Sequence, residues 1–332
     1  MSDFEIDLPS YAEVIDDNQF KYVIFGNGLS VGVNSSFSYG SLYRAAIELG
    51  IIKDESKELF EAFGSSDFEY LLRKLSQAST VNKILNLEHL IPAQKYMVIK
   101  RALITAVSRV HPKRSSISEE WLQQTHDYLS TKHSVFSLNY DLILYWIAGM
   151  GNFDKFTDFF WSDNLTFDPT NLAPYYNRTM LYYPHGALFL FEDIQGSIGK
   201  IRSLDGTSAL DQIATYLENY SVPVFISEGT SQDKFRRIKN NTYLAFAYQR
   251  MQQMRNGVII YGTSLSKQDA HIVDAIRQSG VRKLAYGIHP GNKTSIDVET
   301  IKANVKQTFQ NSIKEFYFFD STTCPLSYPQ EL

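Results

Sequence analysis

The chain has 332 residues, of which 44% are hydrophobic and 20% charged, with a formal net charge of −4 and no basic block. This is the balance of a soluble globular protein, and it disfavours nucleic acid as the main partner. The single cysteine, Cys324, excludes an intramolecular disulfide and a cysteine-built zinc ribbon.

Residues 1–20 read as an acidic arm. The opening Met1–Glu5 has no apolar centre, so it does not read as a secretion signal. No apolar run reaches the roughly 18 residues that a bilayer requires, and a reducing cytoplasm is the expected compartment. Aromatic side chains, with 21 Tyr and 22 Phe, should dominate the core and any groove.

Tyr22–Phe25 is a short apolar run that reads as a buried strand, and Gly26, Gly28 and Gly32 then force a tight turn. A helix follows, with Leu42, Tyr43, Ala46 and Ile47 at helical spacing. Strand, glycine turn and helix is the physical recipe for holding a pyrophosphate. Glycines admit a close backbone, and free amides at a helix start attract negative charge. The spacing departs from G-x-G-x-x-G, since Val31 stands at the third glycine's place and Gly32 comes one later. A tight turn without a ligand fits the same residues.

Residues 50–130 carry almost no strand signal and read as an all-helical insertion. Ser66-Asp67-Phe68-Glu69 has the capping-box pattern, and helices follow over about 93–110 and about 117–130, the last with Ser118 as cap. His133–Leu138 is the second strand and runs into Asn139-Tyr140-Asp141. Residues 150–180 are irregular and aromatic. Pro184-His185-Gly186 leads into the apolar run Ala187–Phe191.

A helix near 208–219 precedes the strand Val222–Ile226, which ends at Ser227-Glu228-Gly229-Thr230, and a long helix of about 233–255 follows. The strand Val258–Tyr261 then enters the turn Gly262-Thr263-Ser264-Leu265. The chain closes with strand 283–288, helix 297–313 and strand Phe316–Phe319, ending in Asp320-Ser321. Alternating buried strands and amphipathic helices predict an α/β fold, a Rossmann-like and mostly parallel sheet covered by helices on both faces. Ligands of such sheets collect at the carboxyl ends of the strands, where these polar clusters fall.

Four of the clusters together resemble the sirtuin superfamily, in particular its bacterial branch without the zinc module. Gly26-Asn27-Gly28-Leu29-Ser30 is similar to the family's first glycine loop, with Asn27 in place of the usual alanine. Asn139-Tyr140-Asp141 looks like its Asn-x-Asp element, Pro184-His185-Gly186 like its His-Gly element, and Gly262-Thr263-Ser264-Leu265 matches its Gly-Thr-Ser-Leu turn. The order is the family's order, and the span of about 22–321 is nearly the whole chain, read as one domain. The resemblance implies an NAD-binding fold in which Asn139 and His185 flank the ribose next to nicotinamide and Asp141 lies near the carboxamide. The family's four zinc-binding cysteines are missing and its arginine after the first loop has only Arg44 as a counterpart, which argues against deacylation. The zinc-free branch is associated with NAD consumption in anti-phage defence.

The expected function is therefore an NAD glycohydrolase, yielding nicotinamide and ADP-ribose, that acts as an abortive-infection effector. A zinc-free deacylase or ADP-ribosyltransferase and a non-catalytic NAD or ADP-ribose sensor are the alternatives. Cleavage places positive charge on the sugar; an uncharged Asn139 can hold a water or hydroxyl beside it, and His185 can accept a proton near neutral pH. Ser30, Thr263 and Ser264 offer hydroxyls and backbone donors for the phosphates and adenosine ribose, and Asp320 and Ser321 the adenine end. NAD is the substrate, and no metal is expected. Because NAD depletion must be gated, a homo-oligomer joined through 50–130 is expected, with a separately encoded ATPase or sensor subunit as a further partner.

Overall fold

The apolar run after Gln19 forms the central strand, β1 (Phe20–Phe25), in a computed structural model that describes residues 8–37, 41–66, 68–162, 164–171, 177–193, 196–201, 209–218, 222–226 and 230–329. Val23, Ile24 and Phe25 are all fully buried. Successive strand side chains point to opposite faces, so consecutive burial means that both faces are covered. β1 pairs with β2 (Ser134–Ser137) on one side and β8 (Arg255–Tyr261) on the other. Beyond β2 lie β4 (Thr179–Tyr182) and β3 (Phe156–Thr157); beyond β8 lie β9 (Gly280–Ile288) and β10 (Glu315–Asp320). The seven-stranded order is β10-β9-β8-β1-β2-β4-β3, and every pairing described is parallel. The chain moves outward from β1 through β2 and later returns to β1's other side at β8. Such a reversal makes a crevice at the carboxyl ends, where open α/β sheets bind ligands.

Between β1 and β2 the described chain is helical: α2 (Asn27–Val33), α3 (Ser41–Glu48), α4 (Asp54–Ala62), α5 (Phe68–Ile84), α6 (Leu90–Val110) and α7 (Glu119–Ser130). The helical stretch is thus wider than 50–130 and starts directly after β1. Buried Leu71, Leu72 and Leu75 on α5, and Ile99, Ala102, Leu103 and Ala106 on α6, sit at helical spacing on faces that pack together. Ser118 caps α7 by accepting from the Trp121 amide at 3.3 Å, as its position predicts. Asp67 of the expected capping box lies outside the described residues.

After β2 and α8 (Ile143–Gly149), the aromatic segment enters the core, with Phe156, Phe159 and Phe160 buried. The chain then leaves the main sheet. β5 (Gly186–Glu192), β6 (Ile198–Lys200) and β7 (Val222–Phe225) form a separate antiparallel sheet in the order β6-β5-β7. Only three residues separate β4 from β5, too few for a parallel crossover, which takes about a dozen or more. α9 (Ala209–Glu218) lies between β6 and β7. The single helix expected over 233–255 is two, α10 (Ser231–Lys239) and α11 (Thr242–Gln252). Asn241 divides them because its side chain caps α11, accepting from the Leu244 amide at 3.0 Å. α12 (Ala270–Gln278) and α13 (Ser295–Phe309) complete the fold, with α1 (Tyr11–Val14) against β10. Among the described residues, no helix is long and apolar enough to cross a membrane.

Candidate functional site

Four turns follow the carboxyl ends of four adjacent strands, β8, β1, β2 and β4. The first two are bonded to each other. Gly26 N–H donates to the Tyr261 carbonyl at 3.0 Å, and Gly28 N–H to the Gly262 carbonyl at 2.6 Å. A Cβ on Gly26 would lie 2.7 Å from Thr263 Cβ, and one on Gly28 would lie 2.6 Å from Gly262 Cα. Gly262 adopts φ 62°, where glycine carries no steric penalty. These glycines are therefore accounted for by one turn packing on another. The Gly28 amide, in the first turn of α2, is thus already bonded within the fold. Leu29 is core, and Asn27 Nδ2 donates to the Phe37 carbonyl at 2.6 Å, holding the segment after α2.

The turn after β2 closes over the same place. Asn139 Nδ2 donates to the Gly26 carbonyl at 3.0 Å and to Ser30 Oγ at 2.6 Å, while Ser30 Oγ–H donates to Asp141 Oδ2. Asp141 Oδ1 accepts from the Ile143 amide at 2.8 Å. Ser30, Asn139 and Asp141 are all buried, so the three form a closed network. Burial pushes the Asp141 carboxyl above the usual range, against the opposing pull of nearby His111 and of its hydrogen bonds. Ser30 and Asp141 were expected to face phosphate and carboxamide. In the structure Asp141 holds the Ser30 hydroxyl, and Ser30 holds the Asn139 amide.

His185 stands on the turn between β4 and β5. Gly186 beside it has φ 75°, and a Cβ there would lie 2.0 Å from the Val224 carbonyl oxygen, so the position admits only glycine. The Ile226 amide donates to the His185 carbonyl at 2.7 Å and ties this turn to β7. The imidazole Nδ1 lies 3.3 Å from the carbonyl of Leu138, the residue before Asn139, so the two motifs meet. Its Nε2 lies 2.8 Å from Nε2 of His271 on α12. His271 Nδ1 in turn lies 3.0 Å from Ser231 Oγ, which accepts the His271 backbone N–H at 2.8 Å. Beside the pair, Lys234 Nζ donates to Asp269 Oδ1 at 2.9 Å in an ion pair that is itself buried. Burial first, and the Lys234 charge second, lowers His185 to about 4, so it is neutral at pH 7. Burial, His185 and Lys234 lower His271 to about 2.

The remaining expected residues divide. Thr263 is buried, with Oγ1 accepting from the Leu265 amide at 3.3 Å and its carbonyl accepting from Tyr286 OH at 2.7 Å. Ser264 is exposed on the turn after β8. Asp320 ends β10 and Ser321 follows it, with β9 and β8 between that strand and β1. The Asp320 carboxylate accepts from Thr322 N at 2.8 Å and Oγ1 at 2.7 Å, and Ser321 is buried. Among the described residues, no hydrogen bond joins either side chain to the Asn139 network. Arg44 is on the exposed side of α3, and Glu228 lies outside the described residues.

Five residues of the site carried no signal that reasoning from sequence used: His111, Ser231, Lys234, Asp269 and His271. His111 is buried between Phe37 and Trp146, and its Nε2 accepts the Leu142 amide at 3.0 Å, fixing the Asp141 turn. The spacing of Asp269 and His271 just after the Gly262 turn is the one clue that these residues belong to the same crevice. His185, Asp269 and His271 place one ligand atom each within 4.8 Å of one another, but Lys234 already neutralises the carboxylate.

A buried polar network at the switch point of a Rossmann-like sheet defines an α/β protein whose site sits at the carboxyl ends of β1, β2, β4 and β8. Residues 23–326 match the model of a domain of unknown function, DUF4917, and the chain belongs to that family. No curated protein matches it.

Proposed function

We propose that the chain is an NAD glycohydrolase of the zinc-free sirtuin kind, releasing nicotinamide and ADP-ribose. The observation that supports this most is the meeting of the four motif turns at one crevice, with Asn139 and His185 coupled through Leu138. In this reaction nicotinamide leaves with the bonding pair, positive charge develops on the ribose, and a water adds while losing a proton. Asn139 adds no charge beside that centre, and its Oδ1 orients the water or a ribose hydroxyl. Its own amide hydrogens are held by Gly26 and Ser30, so the group is pre-positioned. His185, neutral at pH 7, takes the proton. Ser264 and the Gly262 turn meet the phosphates and adenosine ribose.

Gating by self-assembly in the cytoplasm completes the reading, in an antiviral effector that works by depleting NAD. Support comes from the hairpin of α5 and α6, which exposes Val81, Ile84, Leu85, Leu87, Leu90 and Ile91. A separately encoded ATPase or sensor subunit would bind as a trigger. The test is chromatography of NAD incubated with purified protein. Nicotinamide and ADP-ribose are expected from the wild type, and Asn139→Ala and His185→Ala are expected to lower turnover at least ~10²-fold. NAD should still raise the melting temperature of both variants, because a ligand of the folded state stabilises it. Wild-type rates in both variants would refute the site.

A further inference from the structure

His185, the proton acceptor of the proposed function, has no free ring nitrogen. Nδ1 faces a carbonyl oxygen, which only accepts, so Nδ1 carries the proton and donates to Leu138. Nε2 of a neutral imidazole is then an acceptor, and the N–H between the two histidines belongs to His271. With its proton on Nε2, His271 has an accepting Nδ1, and the Ser231 hydroxyl is the donor that meets it. One set of tautomers therefore satisfies the whole chain: Ser231 O–H to His271 Nδ1, His271 Nε2–H to His185 Nε2, His185 Nδ1–H to the Leu138 carbonyl. Burial gives the chain a direction. His185 and His271 are each 3% exposed, whereas Ser231, in the first turn of α10, is half-buried and is the end a hydroxyl can reach.

We propose that Ser231, His271 and His185 form a proton relay, with Ser231 as the open end and His185 as the terminal acceptor. This rests on the reading of the crevice as a site of NAD cleavage. A water or ribose hydroxyl gives its proton to Ser231 Oγ as Ser231 passes its own to His271 Nδ1. His271 releases its Nε2 proton to His185 Nε2. The hydroxyl oxygen keeps its electron pair and bonds to the ribose carbon, while nicotinamide departs with the pair of the broken C–N bond. Ser231 ends as a hydroxyl, His271 as a neutral ring protonated on Nδ1, and His185 as an imidazolium that donates to both Leu138 and His271.

A metal ion fits the same residues less well. Two imidazole nitrogens on one tetrahedral zinc stand about 3.3 Å apart, given Zn–N bonds near 2.0–2.1 Å. The observed 2.8 Å is a hydrogen-bond length, and a buried ammonium stands at the third group.

The test uses full-length protein labelled with ¹⁵N-histidine, first without NAD. A trans-hydrogen-bond coupling between the two Nε2 nuclei is expected, with His185 protonated on Nδ1, and His271→Gln should abolish it. With NAD, Ser231→Ala and His271→Gln are expected to lower kcat roughly 10- to 100-fold, at or below the lower end for a direct acid–base group, with KM little changed. Ser231→Thr should restore most of the rate. A missing coupling, or its loss on adding one equivalent of zinc that His271→Gln no longer binds, would overturn the relay. So would wild-type kcat in Ser231→Ala. A wild type that shows the coupling but cleaves no NAD would sink the proposed activity and the relay's catalytic role, while leaving the hydrogen-bonded chain established.

Discussion

Gly28→Ala separates a glycine that holds the fold from one that makes room for phosphate. The added Cβ would stand 2.6 Å from Gly262 Cα and 2.9 Å from the Gly262 carbonyl oxygen, and both are backbone that cannot rotate aside. Overpacking of this kind costs about 1–3 kcal/mol. The 2.6 Å bond from the Gly28 amide to the same carbonyl would stretch, adding about 0.5–1.5 kcal/mol. Replacing glycine by alanine within α2 returns about 1 kcal/mol of helix propensity. The net loss is about 0.5–3.5 kcal/mol. With about 2.1 cal/mol/K of unfolding entropy per residue, that is a fall in Tm of roughly 1–5 °C for a chain of this length. Calorimetry on protein without NAD measures it. Gly32→Ala is the internal control. It lies in the same helix, and its Cβ would meet only Tyr328 Cβ at 3.7 Å, so a neutral or slightly raised Tm is expected. If Gly28→Ala melts at or above the wild-type temperature, the close packing of the two turns is not what requires the glycine.

Acid should destabilise the protein. The folded pKa of His185, about 4, lies below the unfolded value, so between about pH 6.5 and pH 4 the unfolded chain binds more protons and stability falls with pH. His185 alone accounts for roughly 3 kcal/mol over that window, and His271 acts in the same direction. Asp141, pushed upward, acts in the opposite one. Urea midpoints measured from pH 7 to 4.5 should fall, less steeply in a His185→Asn/His271→Asn double variant; equal slopes in the two proteins would refute the assignment. On the α5–α6 hairpin, Ile84 and Leu87 are 73% and 56% exposed, so Ile84→Glu with Leu87→Glu should leave the circular dichroism spectrum unchanged and shift light scattering from oligomer to monomer. A wild type that is monomeric and fully active at micromolar concentration contradicts that interface. Ser118→Ala should cost about 1 kcal/mol, read as a lowered urea midpoint, through loss of the α7 cap.

What the sequence by itself determined is local. The run Tyr22–Phe25 and its counterpart Val258–Tyr261 before Gly262 are apolar on both faces, and such a strand is stable only with cover on both sides, so the layered parallel sheet was legible. The places of the polar turns followed, because each turn ends a strand, and so did the cap at Ser118. Tertiary structure decided which buried polar atom meets which. Ser30 was read as a phosphate contact, yet it donates to Asp141, 111 residues away in the chain. His271 carries no motif of its own, yet it meets His185 across 86 residues, and Ser231 completes that chain. The glycine turn suggested room for a ligand, while the turn after β8 fills the space beside Gly26 and Gly28. The physical reason is the same in each case. Periodicity records how each residue divides between water and core, a property of its near neighbours along the chain. A buried donor must find its acceptor wherever the strand order brings one, and that order is set by the packing of the whole sheet.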